Sequence, residues 1–288
     1  MTEQELKEKY GKQLIIKKSP VDPRTIKASR VLPKIELPVK TNNVSLELSV
    51  KDQDSLPICA GCSGAGDQES MDVQDIGLSE ELSAMYLYNN RKDPSTDGMD
   101  NLDLMKIRQK KGTCLERLYP IGSTGEPSQE AVINALNHRI GPYARVDTQE
   151  ALNTILASGR TVIMAIPVYN FTERMWFRRP GDPINGYGGH DVRVIDYNDE
   201  IRKRLVKNSW GESFGNGGYV EMDYDDFNCA WEYWAAVDIP SVKPDPAPPI
   251  DPKPEPPHEG WFKRWGMWIL LGITVVVVSL LLSKWFAG

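Results

Sequence analysis

The stretch that decides the fold is Gly188-Gly189-His190-Asp191-Val192, followed by Val206-Lys207-Asn208-Ser209-Trp210-Gly211 and then Gly215-Asn216-Gly217-Gly218-Tyr219. A lone histidine in a protein is usually structural, but the context of His190 differs. Two glycines precede it, and glycine lets another backbone approach closely. The residues after it, Asp191 to Asn198, read as a strand, and Arg204 to Asn208 as the next one, since both carry β-branched residues between polar breakers. If the two pair antiparallel, the Asn208 amide comes to the His190 imidazole. Trp210 then stands where it can cover the pair and exclude water.

A histidine oriented by an amide is half of a nucleophilic site; the other half is an activated nucleophile with donors for a developing oxyanion. The chain has four cysteines, Cys59, Cys62, Cys114 and Cys229. The late segment resembles the papain family of cysteine peptidases, whose members carry a Gly-His pair, a strand, Lys-Asn-Ser-Trp-Gly and a Gly-rich turn ending in Gly-Tyr. The resemblance implies that His190 is the general base and acid, that Asn208 orients it and that Trp210 shields both. It also implies an upstream cysteine at the start of a helix, preceded six positions earlier by a glutamine. Gln53 and Cys59 in Asp52-Gln53-Asp54-Ser55-Leu56-Pro57-Ile58-Cys59 have that spacing. Gln53 and the Cys59 N–H are then the oxyanion donors. A helix N-terminus and a nearby imidazolium both favour the thiolate. Cys62 aligns only if three residues are inserted after Gln53, so Cys59 is the expected nucleophile.

The match is dense at its two ends and thinner between. Gly77-Leu78-Ser79-Glu80-Glu81-Leu82 looks like the family's second-helix start. Thr113-Cys114-Leu115-Glu116 and Leu118-Tyr119-Pro120 look like its loop ending in Tyr-Pro, and Asp97-Gly98 like the loop whose backbone pairs with substrate. By the same resemblance, Gly98, Gly189 and Trp210 are expected to face the substrate. The sequence departs from the family where Asp54 stands for a common Gly, Pro57-Ile58 for Gly-Ser and Ala60 for an aromatic residue. The partner cysteine of a disulfide beside the nucleophile is missing. In these departures the chain looks more like divergent prokaryotic or viral members of the family than plant or lysosomal ones.

Rival readings of the same residues are weaker. Cys59-x-x-Cys62 as half of a zinc site lacks a second half, with Cys114 and Cys229 isolated and His138 expected on a helix. As a redox pair it lacks a βαβ frame. Transglutaminases and acyltransferases use Cys, His and Asn or Asp in this order but without Asn-Ser-Trp-Gly. An inactive papain-like fold serving as a tethered binding module is the remaining alternative; keeping Gln53, Cys59, His190 and Asn208 together argues against it. No metal and no organic cofactor is expected.

The 288 residues include 34 Lys and Arg against 40 Asp and Glu, a net charge of −6 with no long basic run, which makes nucleic acid an unsuitable partner. The chain divides into four expected parts: a polar arm or short prosegment at 1–30, a peptidase domain at 31–240, a Pro-rich linker at 241–260 and a membrane anchor at 261–288. The opening MTEQELKEKY has no apolar run and does not read as a secretory leader. The linker has prolines at 244, 246, 248, 249, 252, 254, 256 and 257, a composition for an extended spacer. Trp265–Ser283 is uncharged, and at ~1.5 Å per helical residue it spans roughly a bilayer's apolar thickness. Trp261, Trp265, Trp268 and Trp285 flank or enter it as interface anchors, and Lys263 and Arg264 precede it. The expected placement is therefore a single-pass C-terminal anchor in a lipid bilayer, with the globular part in the cytoplasm. Reduced thiols agree with that compartment. The sequons at Asn43 and Asn170 are then chance matches.

Within the domain, helices are expected at Cys59–Ser70, Ser79–Asn89 (capped by Ser79), Leu102–Lys111, Ser128–Arg139 and Gln149–Ala157 (with an Asp147/Glu150 capping box). Strands follow at Thr161–Val168, Asp191–Asn198, Arg204–Asn208 and Gly218–Met222. Helices early and strands late make an α+β fold with two unlike halves, the two-lobed papain-like arrangement of a helical lobe and a β-barrel-like lobe with a cleft between them. Peptide or protein is the implied substrate.

Overall fold

The structure, a computed structural model, describes residues 1–237. The expected linker and membrane anchor lie outside the described residues, and no helix among those described is long and apolar enough to cross a membrane.

Six strands form one antiparallel sheet: β1 (Tyr143–Arg145), β2 (Val162–Val168), β3 (Gly188–Asn198), β4 (Lys203–Lys207), β5 (Tyr219–Asp223) and β6 (Glu232–Ala236), in the spatial order β1-β6-β2-β3-β4-β5. Side chains alternate between the faces of a strand, and the two faces feed different cores. Val162, Met164, Ile166, Val192, Val194, Val206 and Val220 point into one core. Ile163, Ala165, Trp234 and Ala236 point into the other.

The second core is covered by helices α2 (Cys59–Ile76), α3 (Ala84–Asn89) and α4 (Asn101–Lys110). The helix α2 is buried along most of its length, from Cys59 to Asp72. Small residues permit this. A Cβ at Gly61 would lie 2.4 Å from the Ala84 carbonyl oxygen, and one at Gly64 2.8 Å from Leu104. Glycine inside a helix costs about 1 kcal/mol against alanine, a cost offset here by close packing. The helix also carries three buried acids, each with its own partner: Asp67 with Arg108 at 2.6 Å, Glu69 with Lys51 at 2.7 Å and Asp72 with His138 at 2.6 Å. Unpaired, such groups would be strongly destabilising.

Several boundaries differ from expectation for identifiable reasons. Ser83, not Ser79, caps α3, because Leu82 is drawn into a bridge with Leu115 and its N–H donates to Glu69. Helix α5 (Gln129–Ala135) is capped by Ser128, where the helix was expected to begin, but stops early, so His138 sits in the turn beyond it and reaches Asp72. Helix α6 (Gln149–Ala157) is capped by Thr148; Asp147 turns away to accept from Ser29. Strands β1 and β6 were not expected. The other expected helices and strands lie within a few residues of their places, with α2 running on to Ile76.

The sequon asparagines are structural. The Asn43 amide donates to the carbonyls of Leu156 and Ile195, and that of Asn170 to Phe177 and Asp182; both are buried.

Residues 1–30 are not a free arm. Helix α1 (Glu3–Tyr10) opens with a full capping box between Thr2 and Glu5 and buries Leu6 and Tyr10 in the first core. The chain then runs as an extended strap along both lobes, bridging Gly189 at Ile15, Asp100 at Lys17 and Arg145 at Lys27.

Candidate active site

His190 lies near the start of β3 and Asn208 directly follows β4, its pairing partner. Their side chains meet as the sequence predicts: His190 Nε2 is 2.7 Å from Asn208 Oδ1. An amide oxygen only accepts, so Nε2 carries the proton and Nδ1 is left as the basic nitrogen. Nδ1 is buried and has no hydrogen-bond partner. Trp210 stacks on the imidazole with centroids 4.8 Å apart and is itself fully buried. Burial without a countercharge pushes the His190 pKa down to about 4.

The segment before α2 is clamped to the loop after Asn208. Gln53 N–H donates to the Ser209 carbonyl, Gly211 N–H to that of Lys51, and the Ser209 hydroxyl to Gln53 Oε1 at 2.9 Å. Gln53 is thereby held beside the Asn208 segment. Its amide nitrogen donates one proton to the Leu56 carbonyl and retains a second. Asp54, where the resembled family has glycine, adopts φ +49. The left-handed region is one that Asp tolerates better than most side chains, and its N–H is satisfied by Asp52 Oδ1 at 2.8 Å.

Cys59 occupies the first position of α2, and Asp191, the residue after His190, is near enough to bear on its thiol. Cys62 lies one turn further in, among Lys51, Glu69 and Glu116. All four cysteines are free. Burial holds the Cys59 thiol far above its ordinary pKa, so thiol and imidazole are both neutral in this state.

The strap runs over this site, and Ile16 packs in the same core as Cys59. Gly189 N–H donates to the Leu14 carbonyl at 3.0 Å, Ile16 N–H to the Gly189 carbonyl at 3.2 Å and Lys17 N–H to the Met99 carbonyl at 2.9 Å. The chain thus passes between the Gly98 loop and the His190 strand. Gly98, at φ +76, is approached so closely that a Cβ would lie 1.9 Å from the Ile15 carbonyl oxygen. Helix α1 locks the strap in place. The Tyr10 hydroxyl donates to Asp52 at 2.8 Å, Lys9 pairs with the same carboxylate at 2.8 Å, and the Tyr10 ring stacks on Trp210. Of the aromatic loop before His190, Met175 and Trp176 are core residues, and exposed Phe177 lines a cavity with Met1, Leu6 and Phe171.

Comparison with known proteins gives a consistent picture. The model of the papain family cysteine proteases matches residues 39–238. An uncharacterised peptidase C1-like protein of Acanthamoeba polyphaga mimivirus is 25% identical over 183 residues, 54% of this chain and 59% of the viral one. Digestive cysteine proteinase 3 of the lobster Homarus americanus is 25% identical over 197 residues, 64% of this chain and 61% of its own. The chain therefore spans about three fifths of the length of these curated relatives. Among solved structures, xylellain, a cysteine protease from Xylella fastidiosa, superposes with a TM-score of 0.68 at 23% identity, covering 78% of this chain and 96% of its own. That likeness speaks for the fold.

Proposed function

Since the chain belongs to the papain family of cysteine proteases, matched over 39–238, we propose that it hydrolyses peptide bonds in peptide or protein substrates through Cys59, His190 and Asn208, and that residues 1–30 hold it latent. The observation that carries the reading is the convergence on one strand end. The His190 imidazole is fixed by Asn208 at 2.7 Å, and the next residue, Asp191, bears on the thiol of Cys59 at the start of α2. In the mechanism, His190 Nδ1 takes the thiol proton and the thiolate attacks the peptide carbonyl. The Cys59 N–H and the second Gln53 amide proton stabilise the oxyanion. His190 returns the proton to the leaving amine, and water then hydrolyses the thioester by the same route.

This chemistry needs an open cleft. With the strap seated, a substrate cannot reach the Gly98 and Gly189 backbone, and a dry cavity opposes the thiolate–imidazolium pair. Release of the strap admits both water and substrate. The test is labelling with an epoxysuccinyl inactivator and mapping of the modified cysteine. Slow labelling of the full chain, fast labelling at Cys59 once the strap is loosened, and none after His190→Ala support the reading. Labelling at Cys62 instead overturns the nucleophile assignment. A loosened, folded chain that is never labelled favours the inactive binding module.

We further propose that residues 261–288 tether the domain to a bilayer through the 241–260 spacer, with the domain on the cytoplasmic side. The support is the uncharged Trp265–Ser283 run with its tryptophans and the preceding Lys263 and Arg264. Membrane association that resists carbonate extraction and disappears on removal of 261–288 is the expected result; soluble full-length protein contradicts it.

A further inference from the structure

Beyond the cleft, the chain carries a ribbon of positive charge that the rest of its composition hides. Residues 17–40 hold seven lysines and arginines against two acids, Asp22 and Glu36, a local charge of +5 in a chain of net −6. All seven cations are exposed. Among the described residues only Arg24 of the seven has an acidic partner, Asp22 at 2.8 Å. The aliphatic residues between the cations are turned outward as well. Val21 is 96% exposed, and Ile26, Val31, Ile35 and Val39 are each between 45% and 54% exposed. Ala28 and Leu32 point the other way, into the first core.

The ribbon is held largely by its backbone, which leaves these side chains free. The Ile26 carbonyl accepts from Arg145 N–H at 2.9 Å, the Val39 carbonyl from Asp199 N–H at 2.8 Å and the Pro38 carbonyl from the Tyr197 hydroxyl at 2.6 Å. It also lies where the chain departs towards the spacer. Ala236 pairs with Tyr143 on β1, and Val237 N–H donates to the Pro142 carbonyl at 2.8 Å. On the other side of the same strand Lys27 bridges Arg145. Tyr143 and Arg145 are two residues apart, about 7 Å along a strand. One short edge strand therefore carries both the ribbon and the exit of the chain.

Cations interleaved with outward aliphatics match a surface that is anionic and apolar in successive layers. Lipid headgroups take the charges, and the boundary with the acyl chains takes the aliphatics. A polyanion such as nucleic acid would use the cations and leave the aliphatics in water. We propose that residues 17–40 are a docking surface for an anionic bilayer, so that the domain lies on the membrane with its β1 edge towards the lipid. The proposal rests on the tether reading above, and adds to it which face meets the membrane and which lipid charge it needs. A tether makes this second contact intramolecular, so a modest affinity of the ribbon suffices.

The test uses the full chain in nanodiscs of phosphatidylcholine, or of phosphatidylcholine mixed with phosphatidylserine. A photo-crosslinking residue is placed on the ribbon by Ile35→benzoylphenylalanine. The control is Ile184→benzoylphenylalanine, at an exposed position in the loop that joins the opposite ends of β2 and β3. Crosslinking to lipid from position 35 should rise about tenfold or more with phosphatidylserine and fall again at high salt. It should stay at background from position 184. Lys27→Gln, Arg30→Gln and Lys34→Gln together should lower the docked-to-free ratio by about a hundredfold, about fivefold for each cation. These side chains are exposed, so the fold tolerates their loss. Equal crosslinking in the two lipids, equal crosslinking from the two positions, or an unchanged yield in the triple variant overturns the surface. If the full chain proves soluble, the tether reading fails and the ribbon is judged alone, by sedimentation with vesicles of the same lipids. Salt-sensitive binding to the phosphatidylserine vesicles, lost in the triple variant, upholds it; no binding overturns it.

Discussion

Tyr10 lies flat against Trp210, with ring centroids 5.2 Å apart and planes 12° from parallel, and Trp210 stacks in turn on His190. One indole therefore joins the N-terminal helix to the imidazole. Tyr10 is fully buried, and its hydroxyl donates to Asp52, the residue before Gln53. Truncating a buried aromatic costs about 3 kcal/mol or more. Here most of that cost falls on the closed strap, since the open form has already lost the contact. Tyr10→Ala should raise the open population, and with it the labelling rate of Cys59, by about a hundredfold. A rate equal to that of the unaltered chain would mean the strap is held elsewhere.

Asn208 acts through His190. Its oxygen fixes the proton on Nε2, and it also accepts from the Ser209 N–H at 2.8 Å, so the amide cannot swing freely. With Asn208→Ala the imidazole loses its orientation and its preferred tautomer. General acid–base assistance is worth about 10² to 10⁴ in rate. A fall in kcat of about a hundredfold is expected, with KM nearly unchanged, because Asn208 touches no substrate. A change confined to KM would assign it a binding role instead.

The strands that carry these two residues are pinned by one acid. The Glu47 side chain is buried, and it accepts from Arg193 on β3, from Lys207 on β4 at 2.9 Å and from Ser70 on α2 at 2.5 Å. Both cations are buried as well. Removing the carboxylate leaves two positive charges without a counterion, a loss of about 3–5 kcal/mol. Glu47→Ala should lower the urea midpoint accordingly. A midpoint within experimental scatter of the parent would show that water or a rearranged acid replaces Glu47.

Much of this was legible because the motif residues are local. The Gly188–Tyr219 stretch carries its own strand pairing, so the His190–Asn208 contact follows from two adjacent strands. Gln53 and Cys59 were legible only through the family resemblance; the bond between Gln53 and Ser209 spans 156 positions. Strand β6 reads Glu-Tyr-Trp-Ala-Ala, without β-branched residues, and β1 has three residues, so neither announces itself. Their pairing is what sets Glu232 opposite Ala165 and hence near Asp191. The strap was hidden for a different reason. Leu6, Tyr10, Leu14 and Ile16 are scattered among charges, and only the surface they meet turns them into a buried stripe.

The two buried titratable groups of the cleft bias strap release in opposite directions. His190 has its pKa lowered to about 4 by burial with the strap closed, and an open cleft returns it towards the ordinary ~6.5. Between those values the open form binds the extra proton, so falling pH favours opening. Asp191 is the reverse: buried, it keeps its proton well above the ordinary carboxylate range. The open form then binds fewer protons, and rising pH favours opening. Above about pH 4, where the two ranges overlap, the slopes oppose, and strap closure in the unaltered chain should vary less with pH than His190 alone would make it. Asp191→Asn leaves His190 alone. Closure should then weaken by about tenfold for each unit below about pH 6.5 until about pH 4. Hydrogen exchange of the Gly189 N–H, which donates to the Leu14 carbonyl across the cleft, reports closure directly once corrected for the intrinsic exchange rate. Flat protection in Asp191→Asn would show that His190 stays dry when the strap leaves, and a steep slope in the parent would show that Asp191 ionises with the strap still in place.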